Sequence, residues 1–169
     1  DQSSIDEAIK KQASCVIQEQ RVKSKEAFNK LRTLRRRTLS EVEVQREVIF
    51  IEVKDTVKAL GDIARFKRTK FNIPVIAITG SNGKTTTKDM LAWILSERYR
   101  VLKNEGTKNN QIGLPLTLLN LNRNYDIAVL ELGTNHFGEI SYLSQISRPN
   151  IGIITNIAPS HLQYFRDLK

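Results

Sequence analysis

The stretch VIAITGSNGKTTTKDML, Val75 to Leu91, constrains the fold more than any other part of the chain. An apolar run stops at Thr79, Gly-Ser-Asn-Gly follows, and Lys84 with three threonines opens a run of helical composition. A strand that turns through glycines into a helix is the layout of a phosphate-binding loop. Gly80 and Gly83 let the backbone bend so that successive N–H groups, through Ser81 and Asn82, point at phosphate oxygens. The helix N-terminus, at Lys84, Thr85 and Thr86, adds its partial positive charge. Lys84 can reach the outer phosphates, and the Thr85 hydroxyl is placed to ligate Mg²⁺. The strict pattern has a glycine five residues before Gly83, where this chain has Ile78, so the loop is a variant form. A turn that merely joins strand to helix is the bland alternative, and the complete order of parts weighs against it.

Strands alternating with helices follow on both sides of this loop. Asp55 stands as the N-cap of a helix to about Phe71, with Val57, Leu60, Ile63, Ala64 and Phe66 as its apolar face. A helix from Lys84 to about Arg98 is expected to bury Met90, Leu91, Ile94 and Leu95. A short strand at Arg100–Lys103 precedes the loop NEGTKNNQIGLP and a helical LTLLNL. The strand at 126–132 and the run NIGIITNI at 150–157 are apolar on both faces, as in a parallel sheet covered on each side. A helix through Ile146 separates them. The fold class is therefore α/β, an open, mostly parallel sheet with right-handed crossovers.

Ligands of such sheets collect at the carboxyl ends of the strands. Polar clusters lie there after Thr79, Glu131 and Thr155. Glu131 ends an otherwise apolar strand and reads either as a metal ligand opposite Thr85 or as a solvated strand-end carboxylate. His161 follows the next strand by a short turn and reads either as a metal ligand or as a structural histidine. His136 and Asn135, in GTNHFGEI, are candidates for substrate contact. Asn109 and Asn110, in TKNNQIG, either hydrogen-bond nucleotide or substrate or shape a turn.

The first part of the chain is less orderly. Ser4–Lys11 has helical composition, SCVI at 14–17 reads as a short strand, and VEVQREVIFIEV at 42–53 alternates as a strand. Between them Lys25–Thr38 places Phe28, Leu31 and Leu34 at helical spacing, with Arg32, Arg35, Arg36 and Arg37 elsewhere on the wheel. From Arg21 to Arg46 nine Lys/Arg stand against three Glu, a large share of the net charge of +9. Such a run is ordinarily a solvated face, and its alternative is a grip on nucleic acid or another polyanion through 28–38. No apolar run approaches the ~18 residues of a membrane span. The first residues lack a signal-peptide layout. Cys15 is the single cysteine, which excludes an internal disulfide. These features together lead to an expected cytoplasmic setting.

Taken together, TGSNGKTTTK, TKNNQIGLPLTLL, AVLELGTNHFGEI and NIAPSHL resemble the ATP-binding middle domain of the Mur ligases of peptidoglycan synthesis. That family uses the loop form Thr-Gly-x-x-Gly-Lys-Thr, which accounts for Ile78. DEAIKKQASCVI and VIFIEVKDTVKALGDIARFKR resemble the end of the family's UDP-binding domain. The resemblance thus implies a partial UDP-substrate-binding domain at 1–72, with an unfamiliar basic segment at about 28–47. Residues 73–169 would then be the first portion of the ATP-binding domain. It implies ATP and Mg²⁺ as cofactors and a UDP-muramoyl peptide as substrate. In the family's reaction a substrate carboxylate is phosphorylated to an acyl phosphate, from which an amine displaces phosphate to give an amide. Lys84 and the loop would hold the phosphates, Thr85 and Glu131 one Mg²⁺, and Glu131 with His161 a second. The family's later strands, a lysine near the second metal, its adenine contacts and its C-terminal domain fall beyond Lys169. The expected chain therefore binds Mg-ATP and lacks full turnover alone. An incomplete sheet edge is also a template for pairing, so self-association is a further expectation. A folylpolyglutamate synthase-like ligase is the nearest alternative substrate class, and GTNHFGEI argues against it.

Overall fold

The computed structural model describes Glu7, residues 15–19 and residues 49–159. The Arg-rich segment 28–47, residues 42–48 of the strand predicted at 42–53, the helix predicted at 4–11 apart from Glu7, and His161 lie outside the described residues. The chain divides into two compact units, 1–56 and 57–169. In the first, strands β1 (Cys15–Glu19) and β2 (Ile49–Val53) pair in parallel, with Cys15 opposite Ile49 and Glu19 opposite Val53.

The second unit holds helix α1 (Thr56–Arg68) and then a strict alternation. Its elements are β3 (Val75–Thr79), α2 (Lys84–Ser96), β4 (Val101–Lys103), α3 (Gly113–Leu119), β5 (Ile127–Glu131), α4 (Glu139–Ser147) and β6 (Ile151–Ile154). The four strands β4-β5-β3-β6 form one sheet in which every pair is parallel. Parallel pairing puts Ile76 and Ile78 on one face and Val75 and Ala77 on the other. The first face packs under α2, through Ala92, Val129 and half-buried Leu91 and Leu95. The second carries the larger core, in which Ala64 of α1, Leu114 and Leu118 of α3 and Leu143 and Ile146 of α4 meet Ala128 and Leu130.

This arrangement has a consequence for ligands. The chain leaves β3 toward the α2 face and leaves β5 toward the opposite face, and β3 and β5 are neighbours. A crevice opens at the carboxyl ends of two strands whose connections diverge. The phosphate loop and Glu131 flank it.

Three expectations of burial are corrected. On α1, Ile63 and Phe66 are exposed, and the buried line is Gly61, Ala64 and Arg68, spaced for one stripe. Arg68 is buried because main-chain carbonyls of Ser147, Phe71 and Ile73 accept from its guanidinium. Burial, and then the nearby Arg148, lower its pKa. Residues 57–72, which the resemblance joins to the preceding domain, pack here with the sheet. On α2, Met90 and Ile94 are exposed, while Lys88 and Ala92 are buried. The third is β6, which the apolar run predicts to be covered on both sides. It is an edge strand with Ile151 and Ile154 exposed, since β3 alone pairs with it among the described residues.

Candidate functional site

The phosphate loop is held from the end of β6. Thr79 lies opposite Ile154, so the segments after β3 and β6 run side by side. Thr155 N donates to Thr79 O at 2.9 Å, and Ser81 N donates to Asn156 O at 3.0 Å. Asn82 N donates to Asn156 Oδ1 at 2.9 Å. Ser81 Oγ donates to Ala158 O at 2.8 Å and accepts from Ala158 N at 2.9 Å. The Thr155 hydroxyl lies 2.6 Å from Asn82 O. Gly80 has φ 133°, and a Cβ there would collide with Thr155 Oγ1 and the backbone of Asn156. Gly83, at φ 78°, is the N-cap of α2, with open space where a Cβ would stand. Lys84 arches back over the loop, its Nζ donating to Gly80 O at 2.7 Å and Ser81 O at 3.2 Å. Thr85 and Thr86 follow in the first turn of α2, half-buried and exposed respectively.

Glu131 ends β5 in register with Ile78 of β3, which sets it beside the loop. Its residue is 1% exposed, so the solvated-carboxylate reading does not hold. Oε1 accepts from Asn109 Nδ2 at 2.7 Å. Oε2 is buried and accepts no hydrogen bond among the described residues. Lys88 Nζ, itself fully buried, stands 3.8 Å from that oxygen. The ammonium donates instead to Asn104 O at 2.9 Å and Gly106 O at 3.1 Å. The buried Asn104 amide brackets the Glu131 backbone, accepting from Glu131 N at 2.9 Å and donating to Glu131 O at 3.0 Å. The main chain and one carboxylate oxygen of Glu131 are thus fixed, and the other oxygen is left open.

The remaining candidates are placed by local structure. Asn109 is spent on Glu131. Asn110 shapes a turn, its Oδ1 accepting from Ile112 N at 3.1 Å and Gly113 N at 2.9 Å at the start of α3. Asn135 and His136 have exposed side chains in the turn before α4. Their backbone N–H groups donate to Glu139 Oε2 at 2.6 and 2.9 Å. Desolvation raises the Glu139 pKa, these hydrogen bonds and that of Thr134 lower it, and the net shift is downward. Gln111 Nε2 donates to Glu139 Oε1 at 3.3 Å, linking the loops after β4 and β5.

Sequence reasoning missed Lys88, Asn104 and Glu139. Lys88 was signalled by its spacing, one turn beyond Lys84 on the same helix face. Glu139 was signalled as an acid at the first position of a helix after a glycine turn. Asn104 carried no local signal.

The donor set suits one divalent cation. A buried carboxylate oxygen without a hydrogen bond among the described residues, at a strand end beside the glycine loop, is a ligand type that Mg²⁺ takes. Among the described residues no group of three or more His, Cys, Asp or Glu gathers, and the expected second pair includes His161. No helix among the described residues is long and apolar enough to cross a membrane.

Comparison with known proteins bears on the fold and the family. The family profile described as Mur ligase middle domain matches residues 78–169. The UDP-N-acetylmuramoyl-tripeptide–D-alanyl-D-alanine ligase of Borreliella burgdorferi is 46% identical over 122 residues, 72% of this chain and 26% of the relative. A crystal structure of MurF from Acinetobacter baumannii superposes with a TM-score of 0.71 at 36% identity, over 90% of this chain and 35% of that one. The MurF ligase of Thermotoga maritima, solved in complex with ADP, gives a TM-score of 0.69 at 29% identity, over 92% and 37%. The chain spans about a quarter of the length of the curated relatives it matches.

Proposed function

The chain belongs to the Mur ligase family, whose middle-domain sequence it carries, and from that premise we propose that it is the Mg-ATP-binding part of an ATP-dependent amide ligase of peptidoglycan precursor synthesis. Its substrate would be a UDP-muramoyl tripeptide joined to D-alanyl-D-alanine, by analogy with the named relatives. The setting is the cytoplasm, where ATP is supplied. The observation that carries the reading is the adjacency of β3 and β5, which brings Glu131 with its open oxygen beside the glycine loop.

Each residue then has a task. The N–H groups opening α2, with its positive end, receive phosphate oxygens. Lys84 gives up the Gly80 and Ser81 carbonyls for the outer phosphates. Thr85 and Glu131 would hold Mg²⁺, which would supply positive charge to offset that on a transferring phosphoryl group. Asn109 holds one oxygen of Glu131 by a hydrogen bond, and the Lys88 ammonium stands 3.8 Å from the other. Asn156 and Thr155 hold the loop in place, and His161 would add a ligand to a second cation. The phosphoryl group passes from ATP to a peptide carboxylate, and an amine displaces phosphate to leave an amide.

Titration of the chain with ADP or ATP tests this. Binding should require Mg²⁺ and fall at least about 100-fold in Lys84→Ala, a loss of ~2.7 kcal/mol. Unchanged affinity in that variant would remove the proposal.

A further inference from the structure

We propose that Asn109 decides which divalent cation this site accepts, by closing one oxygen of Glu131 and leaving a one-oxygen ligand. The inference rests on the reading of Glu131 as a cation ligand and adds selectivity to it.

The two carboxylate oxygens are not equivalent. Oε1 accepts a short hydrogen bond, 2.7 Å, from Asn109 Nδ2. Oε2 is buried and accepts none among the described residues. Asn109 is held where it does this. Its N–H donates to Thr107 O at 2.7 Å, and its carbonyl accepts from Gly133 N at 2.9 Å. Its side chain lies against Gly133, where a Cβ would meet the Asn109 amide at 2.5–2.8 Å. That glycine gives the amide its place. Asn104 fixes the Glu131 main chain from both sides, which leaves the Asn109 amide as the group that sets how the carboxylate is turned. Lys88 balances the charge from 3.8 Å without covering Oε2, because two carbonyls hold its ammonium back.

A carboxylate with one oxygen closed suits a small cation that takes single oxygens at octahedral positions. Mg²⁺ is such an ion, whereas Ca²⁺ is larger, takes more ligands and commonly uses both oxygens of a carboxylate. Removing the Asn109 amide frees Oε1 and lets Glu131 act as a two-oxygen ligand.

The test is calorimetric titration of the chain with ADP in MgCl₂ or CaCl₂. In wild type, Mg²⁺ should support binding at least about ten-fold tighter than Ca²⁺. In Asn109→Ala and Asn109→Leu that ratio should fall about ten-fold, with Ca²⁺ gaining. Equal support by the two ions in wild type overturns the proposal. So does an unchanged ratio in either variant when it keeps the wild-type circular dichroism spectrum. Glu131→Gln separates the two layers. If ADP binding by that variant still responds to Mg²⁺ as wild type does, the cation reading of Glu131 falls and selectivity falls with it. If the response is lost in Glu131→Gln while the Asn109 variants keep the wild-type ratio, selectivity alone falls.

Discussion

The two faces of the four-stranded sheet bury charge in opposite ways. On the face covered by α1, α3 and α4, a continuous apolar core surrounds one buried cation, Arg68, whose donors all end on main-chain carbonyls. On the α2 face the apolar cluster is smaller, built on Ile76, Ile78, Ala92 and Val129. At the carboxyl ends of the strands it gives way to Lys88, Asn104 and Glu131, all buried. The first face ties its buried cation to main-chain carbonyls, and the second leaves a carboxylate oxygen without a hydrogen bond among the described residues. The larger apolar core lies on the first face, and the proposed ligand site lies on the second, where a ligand can complete an open polar atom.

The largest expected effect tests the second face. Lys88→Met removes the cation beside Glu131 and leaves a buried carboxylate uncompensated, a loss of ~3–5 kcal/mol in urea unfolding. Adding Glu131→Gln should restore a substantial part of it, since the two charges act as a pair. A Lys88→Met protein as stable as wild type would break the contrast, because the ammonium would then be mere filling. Next comes the first face. Leu118, fully buried, should cost ~2–5 kcal/mol on truncation to Ala, with nucleotide affinity unchanged in the folded protein. Ile94, 57% exposed on α2, should change by less than ~0.5 kcal/mol on the same truncation. A large loss at Ile94 would mean that the α2 face is covered by more than the described residues show.

These substitutions fall where reading from sequence succeeded and where it stopped. The strand, loop and helix of 75–96 were readable because their signals are local: an apolar run, glycines at bends, helix-forming residues after Lys84. The place of Glu131 at the end of β5 was readable as well, since it closes an apolar run. The rotation of α2 about its axis was not. Met90 and Ile94 look like core by hydrophobicity, and Lys88 looks like surface. Lys88 is nonetheless buried because the carbonyls of Asn104 and Gly106, 16 and 18 residues away, accept its protons. The exposure of β6 was unreadable for the same reason, as an apolar run does not reveal how many neighbours a strand will have. Pairing across the chain decides both, and periodicity within a segment carries no record of it.

The smallest effect concerns a pair that belongs to neither interior. Asp126 and Arg100 lie at the amino ends of β5 and β4, exposed, with Arg100 Nε and Nη2 donating to the carboxylate at 3.0 and 2.9 Å. Arg100 N donates to it as well, at 2.9 Å. The side-chain and main-chain hydrogen bonds of Arg100 lower the Asp126 pKa from 3.8 to about 2. A carboxyl group with a depressed folded pKa binds its proton more readily in the unfolded chain. Its contribution is therefore complete above the unfolded value and is lost as pH falls from 3.8 to about 2. Asp126→Asn should melt slightly below wild type at neutral pH, and the gap should close across that acid window. Solvent screening keeps the gap small, unlike that at Lys88, where both charges are buried. A gap of the same size at neutral pH and at the acid end would show that Asp126 acts through its shape rather than its charge. Position in the fold would then have ceased to separate buried from exposed ion pairs in this molecule.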